Sequence, residues 1–153
     1  MPRVSVVIPL YQTQDYIGAA LSSVLAQTFT DFEVIVVDDG SRDGGPEIVR
    51  SRADPRVRVI TQENRGLAGA RNTGIRQAHG DLIALLDADD LWDPRKIELH
   101  VAQLDADPAL DVSFSASRLI DEHGHDIGLA PTRVESRFFR TRHRAEFFRW
   151  RRN

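Results

Sequence analysis

Short apolar runs rich in valine and isoleucine alternate along this chain with longer segments in which apolar residues recur every three or four positions. The first pattern predicts β-strands and the second predicts amphipathic helices. Strands are predicted at residues 4–9, 32–38, 57–61, 81–87 and 112–116, and helices at residues 15–26, 46–52, 68–78 and 94–104. This alternation predicts one α/β domain over residues 1–153, with a mainly parallel central sheet flanked by helices.

Four loops that follow predicted strands carry polar or conformationally special residues. They are Pro9-Leu10-Tyr11, residues 38–41 (DDGS), residues 63–66 (ENRG) and residues 87–90 (DADD). In open α/β sheets, ligands bind in the crevice beyond the carboxyl ends of the strands. The four loops are therefore predicted to form one pocket at a single edge of the sheet.

The last of these loops delivers three carboxylates, Asp87, Asp89 and Asp90, directly after an apolar strand. Like charges this close repel one another unless a cation lies between them. Mg²⁺ and Mn²⁺ prefer such oxygen ligands and usually complete their shell with phosphate oxygens of a substrate, so the cluster indicates a metal-bridged phosphate compound. The structural alternative is that Asp90 or Asp93 caps a helix opened by Pro94, and for Asp93 this is the favoured interpretation.

Composition narrows the class of protein. The 153 residues include no cysteine, which excludes a disulfide framework and thiolate chemistry and fits a reducing, cytoplasmic compartment. The formal net charge of -3 argues against general binding of nucleic acid. No apolar stretch in the sequence is long enough to span a membrane.

The end of the chain has a different character, because arginine and aromatic residues crowd residues 136–153. Its aromatic residues are Phe138, Phe139, Phe147, Phe148 and Trp150. One interpretation is a basic aromatic helix in peripheral contact with an anionic membrane surface. The favoured one is a helix whose apolar side packs on a sheet in a longer protein, which predicts that these aromatic residues form a surface lacking part of its partner.

An ordered series of short blocks runs through the first two-thirds of the chain. The blocks are residues 4–11 (VSVVIPLY), 22–28 (SSVLAQT), 36–44 (VVDDGSRDG), 64–66 (NRG), 70–75 (ARNTGI), 78–81 (AHGD) and 86–90 (LDADD). In content and order they resemble the nucleotide-binding half of the family 2 glycosyltransferases, which use nucleotide-activated sugars. The resemblance implies a GT-A-like (Rossmann-like) fold, a UDP- or GDP-sugar donor and a Mn²⁺ or Mg²⁺ cofactor.

The resemblance implies that Asp39 recognises the base, uracil or a related one. It also implies that Pro9 directs the carbonyls around Leu10 and Tyr11 towards the base, on which Tyr11 stacks. From the residues alone, the alternative for Asp39 is an Asx-turn that feeds Gly40, a role that suits Asp38 better. Pro9 and Tyr11 are equally compatible with a strand terminator followed by a half-buried aromatic side chain.

Further along the chain, the resemblance implies that Arg71 pairs with the diphosphate or reaches the base. It implies that Asp87 lies near the ribose and that Asp89 binds the metal, with Asp87 and Asp90 as further candidate ligands. The alternative for Arg71 is a solvated arginine on a helix face. Gln12 stands where the family usually has asparagine.

The activity implied by the resemblance is inverting transfer of a sugar to the hydroxyl of a saccharide, lipid or protein acceptor, which requires a carboxylate general base downstream of these blocks. Only Asp121 and Glu122 are candidates, and they lie in a turn-like segment. The chain is therefore predicted to end before the acceptor-binding region, and the alternative function is a non-catalytic nucleotide-binding module. His123 and His125 suit a metal site less well than an exposed hairpin, which is the prediction for this segment.

Overall fold

The computed structural model of the chain describes residues 1–121, 123–129 and 147–149. Its strands are β1 (Val4–Leu10), β2 (Phe32–Asp38), β3 (Val57–Thr61), β4 (Leu82–Leu85), β5 (Val112–Ser113), β6 (Arg118–Ile120), β7 (Asp126–Leu129) and β8 (Phe147–Arg149). Its helices are α1 (Gln14–Leu25), α2 (Gly45–Ser51), α3 (Gly66–Arg76) and α4 (Lys96–Ala106). The main sheet has the strand order β3-β2-β1-β4-β8-β5, and β6 and β7 form a separate hairpin.

Parallel pairing dominates the main sheet. β1 pairs in parallel with β2 and β4, and β2 pairs in parallel with β3, whereas β8 is antiparallel to both of its neighbours. Side chains of β1 alternate between two apolar layers: Ile8 packs with Ile17 of α1 and Ile97 of α4, and Val7 packs with Ala70 of α3. The sheet is thus covered by helices on both faces, which confirms the predicted α/β architecture.

Gly74 lies inside α3, where glycine costs about 1 kcal/mol relative to alanine. A Cβ atom on Gly74 would lie 2.3 Å from Cγ1 of Val7, which is too close for any real side chain. Glycine therefore allows α3 to pack directly against β1. This contact fixes the position of the helix that carries Arg71.

The prediction for the end of the chain is wrong where the structure describes it. Residues 147–149 form strand β8, inserted between β4 and β5, and not part of a helix. Phe147 is 0% exposed and belongs to the main core, and Phe148 is half-buried against the other apolar layer. Alternating burial of adjacent aromatic residues is the period of a strand, and three residues are too few for the sequence to reveal it. Phe138, Phe139 and Trp150 lie outside the described residues.

Several element boundaries differ from those predicted. β4 ends at Leu85, two residues earlier than predicted, and α4 begins at Lys96 rather than at Pro94. Residues 86–95 therefore form a long connection that leaves the sheet at its carboxyl edge. The predicted hairpin around His123 and His125 is confirmed as β6–β7. Within the described residues, the longest apolar helix falls short of what a membrane crossing requires.

Candidate functional site

A cleft of about 430 Å³ opens at the carboxyl ends of β1, β2 and β4. Its lining residues are Pro9, Leu10, Tyr11, Thr13, Asp39, Asn64, Gly66, Leu67, Ala70, Asp87, Ala88 and Asp89. Parts of all four predicted loops contribute to it, as expected for ligand binding in an open α/β sheet. The volume falls within the range of small-molecule sites, which is about 300–1,000 Å³.

Asp39 is buried in the cleft wall, with 2% of its surface exposed. Its Oδ1 atom accepts hydrogen bonds from Nε2 of Gln62 at 2.6 Å and from the backbone N–H of Arg65 at 2.9 Å. Oδ2 accepts none from the residues that the structure describes. Asp38, by contrast, accepts a hydrogen bond from the backbone N–H of Ser41 at 2.9 Å, which is the Asx-turn predicted for it. Asp38 thus stabilises the turn after β2, whereas Asp39 is held through Oδ1 and its Oδ2 has no hydrogen bond with the described residues.

The segment after β1 forms a second wall. Tyr11 is 50% exposed and lines the cleft, so its ring offers a stacking surface. The sequence predicts that the Leu10 carbonyl faces the base. In the structure this carbonyl accepts the backbone N–H of Asp39 at 2.9 Å and so holds Asp39 in position. Gln12 adopts the left-handed region at φ 53°, which asparagine tolerates better, and its Oε1 accepts the backbone N–H of Arg42 at 3.0 Å.

Arg71 and Asp87 form an ion pair at the edge of the cleft. Nη2 of Arg71 donates to Oδ1 of Asp87, and only 16% of the Arg71 side chain is exposed. The solvated helix-face alternative for Arg71 is therefore wrong. Nε of Arg71 is buried and has no hydrogen-bond partner in the described part of the chain. The guanidinium also supplies positive charge to the acidic loop. A metal ion is therefore not required to offset all of the repulsion between its carboxylates.

The other two carboxylates of this loop face different surroundings. Asp89 is exposed at the mouth of the cleft and has no hydrogen bond or ion pair with the described residues. Asp90 lines a neighbouring cleft of about 570 Å³ together with Trp92 and His100. Among the described residues, no three acidic or histidine side chains are grouped closely enough to hold a metal by themselves. Oδ1 of Asp93 accepts the backbone N–H of Arg95 at 2.9 Å, which is a local turn. The prediction that Asp93 caps the helix is wrong, because α4 begins at Lys96 with Arg95 as its N-cap residue and no side-chain cap hydrogen bond.

Comparison with known proteins identifies the family. The family model described as "Glycosyl transferase family 2" matches residues 5–152. The chain belongs to glycosyl transferase family 2. It is 39% identical to the chondroitin synthase of Escherichia coli over 127 residues, which are 82% of this chain and 18% of that protein. It is 40% identical over 102 residues to the E. coli UDP-Glc:alpha-D-GlcNAc-diphosphoundecaprenol beta-1,3-glucosyltransferase WfgD, covering 66% of this chain and 40% of that protein.

Solved structures give the same fold. The mannosyltransferase PcManGT from Pyrobaculum calidifontis, in complex with GDP-Man and Mn²⁺, superimposes with a TM-score of 0.66 at 34% identity over 72% of this chain and 34% of that chain. Residues 1–349 of S. aureus TarS, in complex with UDP, give a TM-score of 0.64 at 27% identity over 78% of this chain and 42% of that chain. The domain is therefore a GT-A fold. This family 2 chain spans less than half the length of each of these four proteins.

The two candidate general bases are not equivalent in the structure of this family 2 chain. Asp121 organises the β6–β7 turn, where Oδ1 accepts the backbone N–H groups of His123 at 2.9 Å and His125 at 2.8 Å. The hydrogen bond from the His125 backbone is the main cause that lowers the pKa of Asp121 from its ordinary 3.8. A carboxylate with a lowered pKa is a weaker base. Glu122 lies outside the described residues.

Two lining residues, Thr13 and Leu67, lie outside the loops and blocks singled out in the sequence. Thr13 follows Tyr11 by two residues and Leu67 directly follows the loop at residues 63–66, so the rule that ligands bind beyond the strand ends could have included both.

Proposed function

We propose that this domain binds a nucleoside diphosphate sugar, a UDP- or GDP-sugar, in the 430 Å³ cleft, with Mn²⁺ or Mg²⁺ beside the diphosphate. The observation that carries the proposal is that one cleft contains two carboxylates with oxygen atoms available to a ligand. Oδ2 of the buried Asp39 accepts no hydrogen bond from the described residues, and the exposed Asp89 makes no hydrogen bond or ion pair with them. A base and a diphosphate need these two kinds of group at opposite ends of a binding site.

Recognition of the base falls to Asp39 and Tyr11. The free Oδ2 of Asp39 accepts the imide N–H of uracil or the N–H edge of guanine, while adenine has no imide donor to offer. A hydrogen bond to an ionised carboxylate is among the stronger ones, which suits a residue that discriminates between bases. The ring of Tyr11, which is half exposed in the cleft wall, stacks on the base. PcManGT with GDP-Man and TarS with UDP support the choice of these two nucleotides.

The acidic loop suits a divalent metal bound together with substrate. Mg²⁺ in phosphate sites is usually held by one or two carboxylates plus substrate oxygens, with water completing the shell. Asp89, exposed in the cleft and without a protein partner in the described residues, fits that donor set, and Asp87 fits a place near the ribose. When bound, the metal would neutralise negative charge on the departing nucleoside diphosphate. The cation in PcManGT is Mn²⁺.

Sugar transfer, with inversion at the anomeric carbon, is the proposed reaction. Arg71 would orient the diphosphate with its guanidinium, since Nε has no partner in the described residues and Nη2 is held by Asp87. The acceptor hydroxyl must lose its proton to a carboxylate, a step worth about 10²- to 10⁴-fold in rate. The lowered pKa of Asp121 argues against that residue as the base.

The test is calorimetric titration of the purified chain with UDP, GDP and ADP, each with and without Mn²⁺. We expect UDP or GDP to bind better than ADP and to bind more tightly when Mn²⁺ is present. Asp89→Asn should abolish the Mn²⁺ enhancement, because it removes the ligand charge. Asp90→Asn is the matched control, since Asp90 lines the neighbouring cleft, and it should keep the enhancement. An Asp89→Asn variant that is folded and keeps a full enhancement would contradict the assignment.

The second candidate function is a non-catalytic nucleotide-binding module, which the turn role of Asp121 favours. Incubation of the chain with UDP- and GDP-sugars, Mn²⁺ and a mixed acceptor panel separates the two. Glycosylated product would favour the transferase. Donor binding without product would favour the module or a donor-binding portion of a longer enzyme.

A further inference from the structure

Helix α1 begins in an unusual way. Thr13 is its N-cap residue, and threonine is favoured there because its hydroxyl normally accepts a backbone N–H of the first turn. The Thr13 side chain makes no such hydrogen bond. Instead, Oδ2 of Asp43, from the loop before α2, accepts the first helical N–H, that of Gln14, at 2.9 Å. Asp43 thus does the capping, and the Thr13 hydroxyl is released from it.

The released hydroxyl has no other partner among the residues that the structure describes. Oγ1 of Thr13 is inaccessible to solvent and makes no hydrogen bond. Among the described residues, Nε of Arg71 is the other buried side-chain polar atom without one. Buried polar groups are nearly always satisfied, so each exception calls for a cause. Both exceptions among the described residues lie beside the same cleft, because Thr13 lines it and Arg71 pairs with Asp87, which also lines it. This placement points to a ligand rather than to a packing defect.

Thr13 as a whole is only half-buried and lines the cleft, although its Oγ1 is not accessible. Another part of the residue must therefore face the cleft. Rotation about χ1 by about 120° moves the hydroxyl of threonine into the position that the methyl group had occupied, and threonine populates more than one χ1 rotamer. A single rotation thus turns the hydroxyl towards a ligand without moving the backbone.

We propose that Thr13 is a specificity-determining residue whose hydroxyl hydrogen-bonds the nucleoside part of the donor. The inference rests on the proposed function. Thr13 follows Tyr11 by two residues and lines the same cleft. The segment that carries both is joined to Asp39, because the Leu10 carbonyl accepts the backbone N–H of Asp39 at 2.9 Å, whereas Asp89 comes from the loop after β4. A hydroxyl can donate to a base carbonyl or accept from a sugar hydroxyl, so it complements the acceptor-only carboxylate of Asp39.

The test compares Thr13→Val, which keeps the shape and removes the hydroxyl, with Thr13→Ser, which keeps the hydroxyl. A neutral hydrogen bond of ordinary strength corresponds to about a 2- to 12-fold change in affinity. We expect Thr13→Val to weaken UDP or GDP binding by that factor and to weaken the monophosphate equally, while Thr13→Ser stays within about 2-fold of the native affinity. Without nucleotide, Thr13→Val should resist urea at least as well as the native chain, because it removes an unsatisfied buried hydroxyl.

Each outcome has a definite consequence. Unchanged nucleotide affinity in Thr13→Val, with the native chain binding UDP or GDP, overturns this inference and leaves the proposed function intact. A loss seen with the diphosphate but not with the monophosphate overturns it as well. A loss of affinity that follows an equal loss of stability, in both variants, assigns Thr13 a structural role instead. If the native chain binds neither UDP nor GDP, the proposed function fails and this inference falls with it.

Discussion

The way Asp39 is held makes Asp39→Asn a sharp test of base recognition. Oδ1 accepts hydrogen bonds from Nε2 of Gln62 at 2.6 Å and from the backbone N–H of Arg65 at 2.9 Å. Because both partners are donors, an asparagine must keep its carbonyl oxygen at this position and place its NH₂ group where Oδ2 lies. The substitution therefore changes the remaining group from an acceptor to a donor, with almost no change in size.

The expected magnitude follows from the loss of one charge-assisted hydrogen bond. Hydrogen bonds to charged groups contribute about 1.5–3 kcal/mol, which corresponds to about a 10- to 100-fold loss of affinity for UDP or GDP. The new NH₂ group faces the imide N–H of uracil as donor against donor, which adds to the loss. Cytosine presents an acceptor nitrogen at the same place, so CDP gains a partner. We expect the preference for UDP over CDP to fall by at least the same factor.

The assay is calorimetric titration with UDP, GDP, CDP and ADP at constant Mn²⁺, on variants whose unfolding in urea matches that of the native chain. Asp38→Asn is the matched control. Its Oδ1 accepts the backbone N–H of Ser41 at 2.9 Å and it does not line the cleft, so the nucleotide preference should not change. A folded Asp39→Asn variant with the native ratio of UDP to CDP affinity would refute base recognition by Asp39.

Two further predictions concern stability. Phe147→Ala should lower the free energy of unfolding in urea by about 3–5 kcal/mol, because Phe147 is fully buried, whereas Phe148→Ala, at a half-buried position, should cost clearly less; equal costs would contradict the placement of β8. Burial alone would raise the pKa of Glu33, but hydrogen bonds from Ser5 and His79 outweigh it and hold the pKa below the ordinary 4.5. The stability contributed by this carboxylate is present above about pH 4.5 and is lost as the pH falls through the folded-state pKa. The difference in unfolding free energy between the native chain and Glu33→Gln should therefore shrink on acidification, and a difference independent of pH would contradict it.

The pocket was predictable from the sequence because its position depends on topology alone. Once the strands are known to be parallel, the residues after each strand must meet at one edge, whatever their detailed packing. This places Tyr11, Asp39 and Asp89 in one cleft without any knowledge of side-chain contacts. The run of apolar residues likewise identified strand Phe32–Asp38 at its observed bounds, since a parallel strand buried on both faces is a nearly continuous apolar run.

The contacts within the cleft were not predictable in the same way. That Arg71 pairs with Asp87, and that Asp43 takes over the capping role of Thr13, depends on rotamers and on loops distant in sequence. Strand β8 was missed for a related reason: it is three residues long, and its place in the sheet is decided by pairing with β4 and β5, far away in the chain. Short antiparallel insertions leave almost no local signal.

The ion pair of Arg71 with Asp87 changes how metal dependence should appear. Arg71 already balances one carboxylate, and the described residues contain no group of three metal-ligating side chains, so the chain alone has little reason to bind a divalent cation tightly. Under the proposed function, the diphosphate would bring new negative charge next to Asp89 and would compete with Asp87 for Arg71. The need for a cation would therefore arise when the donor binds. Because such coupling is reciprocal, the factor by which Mn²⁺ strengthens nucleotide binding must equal the factor by which nucleotide strengthens Mn²⁺ binding.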